Sequence, residues 1–154
     1  MKYLTFLRNY LLKELQCREV ELSTEANILS IERKLNIKFP ESFRELMLMK
    51  SHYGQILLGD KQYRFDEYPA LRQQAQQLMD MFGYGYRLTE NDFVFMFVDG
   101  WIVYFFRLDE GDNPPVYMYR EGESIVKIRE HLSEFVRMDV YGDLTAYADD
   151  KDNI

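Results

Sequence analysis

Asp109, Glu110 and Asp112 stand within four residues of one another, and carboxylates that close can divide general-acid and general-base work between them. The stretch Asp109-Glu110-Gly111-Asp112-Asn113-Pro114-Pro115 lacks the alternating oxygen ligands and closing glutamate of an EF-hand, so a calcium loop is not expected. A solvated acidic loop, or one that meets a partner, is the simpler reading. A nucleophilic triad needs a base set against Ser or Cys, and the two histidines, His52 and His131, lie in no such motif; both are expected to be structural or exposed. Cys17, the sole cysteine, can form no intramolecular disulfide and reads as an inert thiol, and no Cys/His grouping exists for a structural zinc. Gly83-Tyr84-Gly85 lacks the third glycine, the Lys-Ser/Thr pair and the preceding strand of a phosphate-binding loop, and reads as a helix stop followed by a turn. No catalytic residue, metal ligand or cofactor is expected.

Charge narrows the partners. Residues 1–77 hold 12 Lys+Arg against 10 Asp+Glu, net +2, whereas residues 78–154 hold 7 against 16, net −9, giving −7 for the 154 residues. An acidic C-terminal half argues against direct binding to nucleic acid or anionic lipid and favours a basic partner. The aromatic strands bring to mind RNA-binding sheets, but no Lys or Arg lies between Phe93 and Phe106. Arg8 and Lys13 interrupt the apolar N-terminus, no small-residue cleavage site follows, and the longest apolar runs fall far short of the ~20 residues that span a bilayer. A cytoplasmic protein is the expectation.

The elements that must position these residues are legible from spacing. One domain over 1–147 is expected, with a frayed acidic tail at 148–154. Leu4, Leu7, Leu11 and Leu15 predict an opening helix over 2–20, within an N-terminal segment 1–22. Ser23 or Thr24 can cap a second helix with Ile28, Ile31 and Leu35 inward and Glu32, Arg33 and Lys34 in water. Pro40 suits the first turn of a third helix that turns Phe43, Leu46, Met47 and Met49 inward and ends at Gly54. Residues 55–59 and 62–66 are short strand candidates, and 70–82 is an amphipathic helix stopped by Gly83. The strongest signal is Phe93–Val98, Asp99-Gly100, Trp101–Phe106: two β-rich runs about a type I′ turn, pairing Val98 with Trp101 and Phe93 with Phe106. Both faces of that hairpin are apolar, so either both are covered by the protein's own helices and loops, which is the expectation, or one is a docking surface. Strands VYMY and IVKI follow, then a helix over 129–138 with Ile128, Leu132, Phe135 and Val136 on one side. The fold class is α+β: a mixed, mainly antiparallel sheet of about five or six strands wrapped by about four or five helices.

Three segments together resemble the SUKH superfamily, which includes fungal cell-wall assembly regulators and many bacterial immunity proteins. IERKLNIKFPESFRELML is similar through Ile31, Glu32, Leu35, Pro40, Phe43 and Leu46; DFVFMFVDGWIVYFFRLDEGDNPPVYMY through Phe106, Asp112, Pro114, Val116 and Tyr117; and HLSEFV through Ser133, Glu134 and Phe135. The likeness spans roughly residues 24–138. Departures at His52-Tyr53-Gly54, Val98-Asp99-Gly100 and His131-Leu132 leave the subfamily open. The resemblance implies a non-enzymatic protein-binding domain, most often an immunity protein that neutralises a cognate toxin domain by occluding its active site. A regulatory scaffold similar to the fungal cell-wall regulators is the alternative, although those relatives carry long disordered extensions. An acidic surface suits a basic nuclease toxin, whose phosphate cleft it can cover. Since turn and loop tips are exposed while strands are packed, the expected contacts are Asp99, Trp101, Asp109, Glu110, Asp112 and Asn113.

Overall fold

The computed structural model describes residues 1–14, 25–50, 67–82, 85–140 and 142–147. Four helices come first: α1 (Thr5–Glu14), α2 (Glu25–Leu35), α3 (Glu41–Lys50) and α4 (Tyr68–Phe82). Strands β1 (Asp92–Val98), β2 (Ile102–Arg107), β3 (Val116–Arg120) and β4 (Val126–Arg129) form one antiparallel sheet in the order β1-β2-β3-β4. A short α5 (Leu132–Phe135) runs into a π-helical turn, Val136–Val140, and a 3-10 turn, Thr145–Tyr147, follows. Among the described residues the class is α+β with five α-helices, as expected, but the sheet has four strands, not five or six, and none of its pairings is parallel. Each connection in it is a short turn or loop, which permits only antiparallel neighbours. The candidate strands 55–59 and 62–66, the residues Cys17, Ser23, Thr24, His52, Gly54 and Gly83, and the tail 148–154 lie outside the described residues.

Leu7 and Leu11 of α1, with Leu4 just before it, are fully buried on one side, as their spacing dictates. The N-terminus of that helix is closed by Glu45 of α3, only 3% exposed, whose carboxylate accepts the backbone N–H groups of Lys2, Tyr3 and Leu4. It satisfies the N–H of Leu4, which caps the helix, together with those of the two residues before it, and places negative charge at the positive end of the dipole. Glu32 departs from the expectation that it faces water: it is buried, accepting the Phe39 N–H at 2.8 Å and Arg44 Nη1 at 2.6 Å. Pro40 stands just before α3, where its carbonyl accepts the N–H groups of Phe43 and Arg44. The last helix starts at Leu132, not at 129, because Arg129 is still paired to Val116 in the sheet and His131 is extended. Ile128 accordingly belongs to β4.

The Phe43 ring is the centre of the core. It lies 5.0 Å from Phe39, 5.4 Å from Phe93, 5.1 Å from Phe106 and 6.1 Å from Tyr68, so rings from α3, α4 and both hairpin strands interlock. Each such pair adds ~1 kcal/mol beyond the apolar area it removes from water. Phe135 of α5 meets Phe95 at 5.6 Å and Tyr104 at 5.0 Å. Phe105 stacks on Tyr117 at 5.4 Å and faces Tyr86 at 6.3 Å. The hairpin is thus covered on both faces, as expected from its doubly apolar sequence.

The chain turns at Asp99-Gly100 as expected, with φ of 54° and 77° and the Trp101 N–H on the Val98 carbonyl at 3.2 Å, but Trp101 belongs to the turn and Val98 pairs with Ile102 in its place. The register is the expected one from Asp92↔Arg107 to Val94↔Phe105, but then slips by one, to Met96↔Tyr104 and Val98↔Ile102. A bulge at Phe95 absorbs the extra residue.

Candidate functional site

At the base of the hairpin a buried carboxylate organises the acidic loop. Asp92, 2% exposed, accepts the Tyr86 hydroxyl at 2.9 Å, the Thr89 N–H at 2.8 Å and hydroxyl at 3.2 Å, and Arg107 Nε at 3.2 Å. Arg107 continues outward: its guanidinium lies 4.3 Å above the Tyr117 ring and 3.6 Å from Glu110. The Tyr117 hydroxyl donates to Glu110 at 3.0 Å. Burial pushes the Tyr117 and Tyr86 hydroxyls above the ordinary phenol value, and the Glu110 carboxylate adds to the effect at Tyr117. Both therefore remain donors at neutral pH, with the carboxylates as acceptors.

The far end of the loop is tied as firmly. The Asn113 side chain accepts the Ser133 N–H at 3.0 Å and donates to the Ser133 hydroxyl at 2.8 Å, while its carbonyl meets His131 Nδ1 at 3.0 Å. Asn113 thereby caps α5 from a distance, and His131 has the structural place expected of it. The Asp112 carbonyl accepts the Ser42 N–H in the first turn of α3. What the loop presents to solvent is the side chains of Asp109 and Asp112.

Asp99 and Trp101 sit at the other end of β2, six residues and roughly 20 Å away. The structure therefore gathers Asp109, Glu110, Asp112 and Asn113 into one loop but does not join them to Asp99 and Trp101. The tip has other neighbours. Trp101 is 40% exposed, with the Arg120 guanidinium 5.6 Å from its ring, and its carbonyl accepts the N–H of Glu121 in the β3–β4 turn. Glu121 and Glu123 are exposed there, and Arg120 reaches Glu123 at 3.9 Å.

The three loop carboxylates do not converge on a cleft: two point to water and Glu110 is held by Tyr117 and Arg107. Among the described residues, no three His, Cys, Asp or Glu side chains are placed to share a metal ion, and no helix is long and apolar enough to cross a membrane. Sequence reasoning missed the Asp92–Tyr86–Arg107 group and a groove beside Tyr119. The first had a signal, an aspartate opening an otherwise apolar strand run opposite an arginine that closes its partner.

A four-stranded antiparallel meander under helices, with acidic groups at both ends of its hairpin, defines a small α+β domain that presents turns and loops. Within that class the chain belongs to the SMI1 / KNR4 family (SUKH-1), whose model matches residues 22–138. Family membership supports a toxin-immunity or SMI1/KNR4-like regulatory domain, in a family that is generally non-catalytic and engages protein partners. No curated protein matches the chain.

Proposed function

We propose that this protein is a cytoplasmic immunity protein that binds a cognate bacterial toxin domain, of which a basic nuclease is the best-fitting kind, and occludes its active site without catalysis of its own. The observation that carries the reading is the division of labour in the hairpin. Its strand side chains are spent on the core, while exposed carboxylates stand on turns that hydrogen bonds hold in place. A pre-organised acidic rim loses little entropy on docking and steers a cationic partner to it. Asp99, Trp101, Asp109, Glu110, Asp112 and Asn113 are the contacts in this reading, and Glu110 and Asn113 also fix the loop that carries Asp109 and Asp112.

The test is co-expression with toxin domains encoded beside the gene. One of them is expected to lose its toxicity and co-purify with the protein, and Asp109→Lys with Asp112→Lys is expected to slow association roughly tenfold or more. No rescue and no co-purification with any of them would refute the proposal and leave the regulatory alternative.

A further inference from the structure

Between the C-terminal end of α4 and the β3–β4 turn lies a groove of about 320 Å³. Met79, Tyr86, Tyr119 and Ile125 form its walls, and Glu123 and Ser124 stand at its mouth. Tyr119 is 2% exposed, yet among the described residues its hydroxyl has no hydrogen-bond partner. Buried hydroxyls nearly always find one, because an orphaned donor gives up its water without return. The Tyr86 hydroxyl, in contrast, is occupied by Asp92, which leaves its ring to the groove.

Glu123 makes the mouth acidic. Asp80 and Glu121 are also exposed on the framing elements, against Arg87 and Arg120. Glu123 is engaged by Arg120 only at 3.9 Å, and its side chain is more than half exposed, so it can take a second cation.

We propose that this groove receives an arginine side chain of the partner protein, an inference that rests on the docking reading above. The arginine methylenes lie against Met79 and Ile125, the guanidinium face against the Tyr86 ring, and its N–H groups reach both the Tyr119 oxygen and the Glu123 carboxylate. Arginine fits better than lysine because a planar fork of donors can stack and serve two acceptors at once. It also fits better than an apolar side chain, which would leave the Tyr119 hydroxyl unpaired.

The experiment needs no toxin. Nα-acetyl-L-arginine methylamide is titrated into the ¹⁵N-labelled protein, and saturable shifts are expected at the Gly85, Ser124 and Ile125 amides with a Kd of about 1 mM, a fragment's affinity. The isosteric uncharged citrulline compound should bind at least about tenfold more weakly, as should the arginine probe to Glu123→Gln. Tyr119→Phe should weaken the probe while leaving the urea midpoint unchanged or higher, since the hydroxyl it removes supports nothing in the free protein. Absence of saturable shifts at those amides, or equal binding of citrulline or of an acetyl-phenylalanine amide, would overturn the assignment. Toxin rescue with no probe binding would discard the groove and keep the docking reading; probe binding with no rescue would do the reverse.

Discussion

Replacing Asp92 by Asn tests the claim that one buried carboxylate fixes the base of the hairpin. Its Oδ2 accepts from the Tyr86 hydroxyl and from both the Thr89 N–H and hydroxyl; its Oδ1 accepts from Arg107 Nε. An asparagine can keep its carbonyl oxygen on the crowded side and retain three of those bonds. Its NH₂ then faces the Arg107 guanidinium, so a charge-assisted bond worth about 1.5–3 kcal/mol becomes donor against donor. Removing one partner of a fully buried pair costs about 3–5 kcal/mol, but Arg107 is a third exposed and water recovers part of that. The expected loss is about 2–3 kcal/mol, or a fall in Tm of about 5–10 °C for a chain of this length. Urea unfolding of Asp92→Asn, Arg107→Met and the double variant measures both the total and the coupling, which should come to about 1.5–2 kcal/mol. A coupling near zero would show that Arg107 is held by Tyr117, Glu110 and Tyr86 without Asp92, and a loss below about 0.5 kcal/mol would refute the organising role of Asp92.

Truncation of Phe43, whose ring meets five other aromatic rings, should cost about 3–5 kcal/mol as Phe43→Ala, with the near-UV circular dichroism flattened; retention of wild-type stability would show that the ring cluster does not organise the core. Burial raises the Tyr104 hydroxyl as well as those of Tyr86 and Tyr117, so the folded chain keeps these protons to higher pH than the unfolded chain does. Their contribution is complete below the unfolded value near about pH 10 and is lost as pH rises through the folded values. The urea midpoint should fall from about pH 10 upward, less steeply in Tyr104→Phe; a midpoint that rises over that interval would contradict the burial argument.

How far the fold can be read from the sequence depends on whether a residue's partners are near it in the chain. Asp99-Gly100 announces its turn because the required positive φ values are a property of those two residues alone. The slip at Phe95 is silent, because Phe95, Met96 and Tyr104 are apolar on both faces and no polar alternation records which of them is the extra residue. Glu32 shares a helix with charged neighbours and reads as solvated; only Arg44 and the Phe39 N–H, brought from α3 and the segment before it, make its burial tolerable. Asn113 reads as a loop tip because its partners, Ser133 and His131, are about twenty residues away in sequence. The same reasoning accounts for where a docking surface can be. A hairpin buried on both faces commits nearly every strand side chain to the core, so a change there costs stability before it alters recognition. Freedom to vary is left to the turns at the two ends of the sheet, where side chains project beyond the last hydrogen-bonded pair. That is where Asp99, Glu121 and Glu123 stand at one end, and Asp109 and Asp112 at the other.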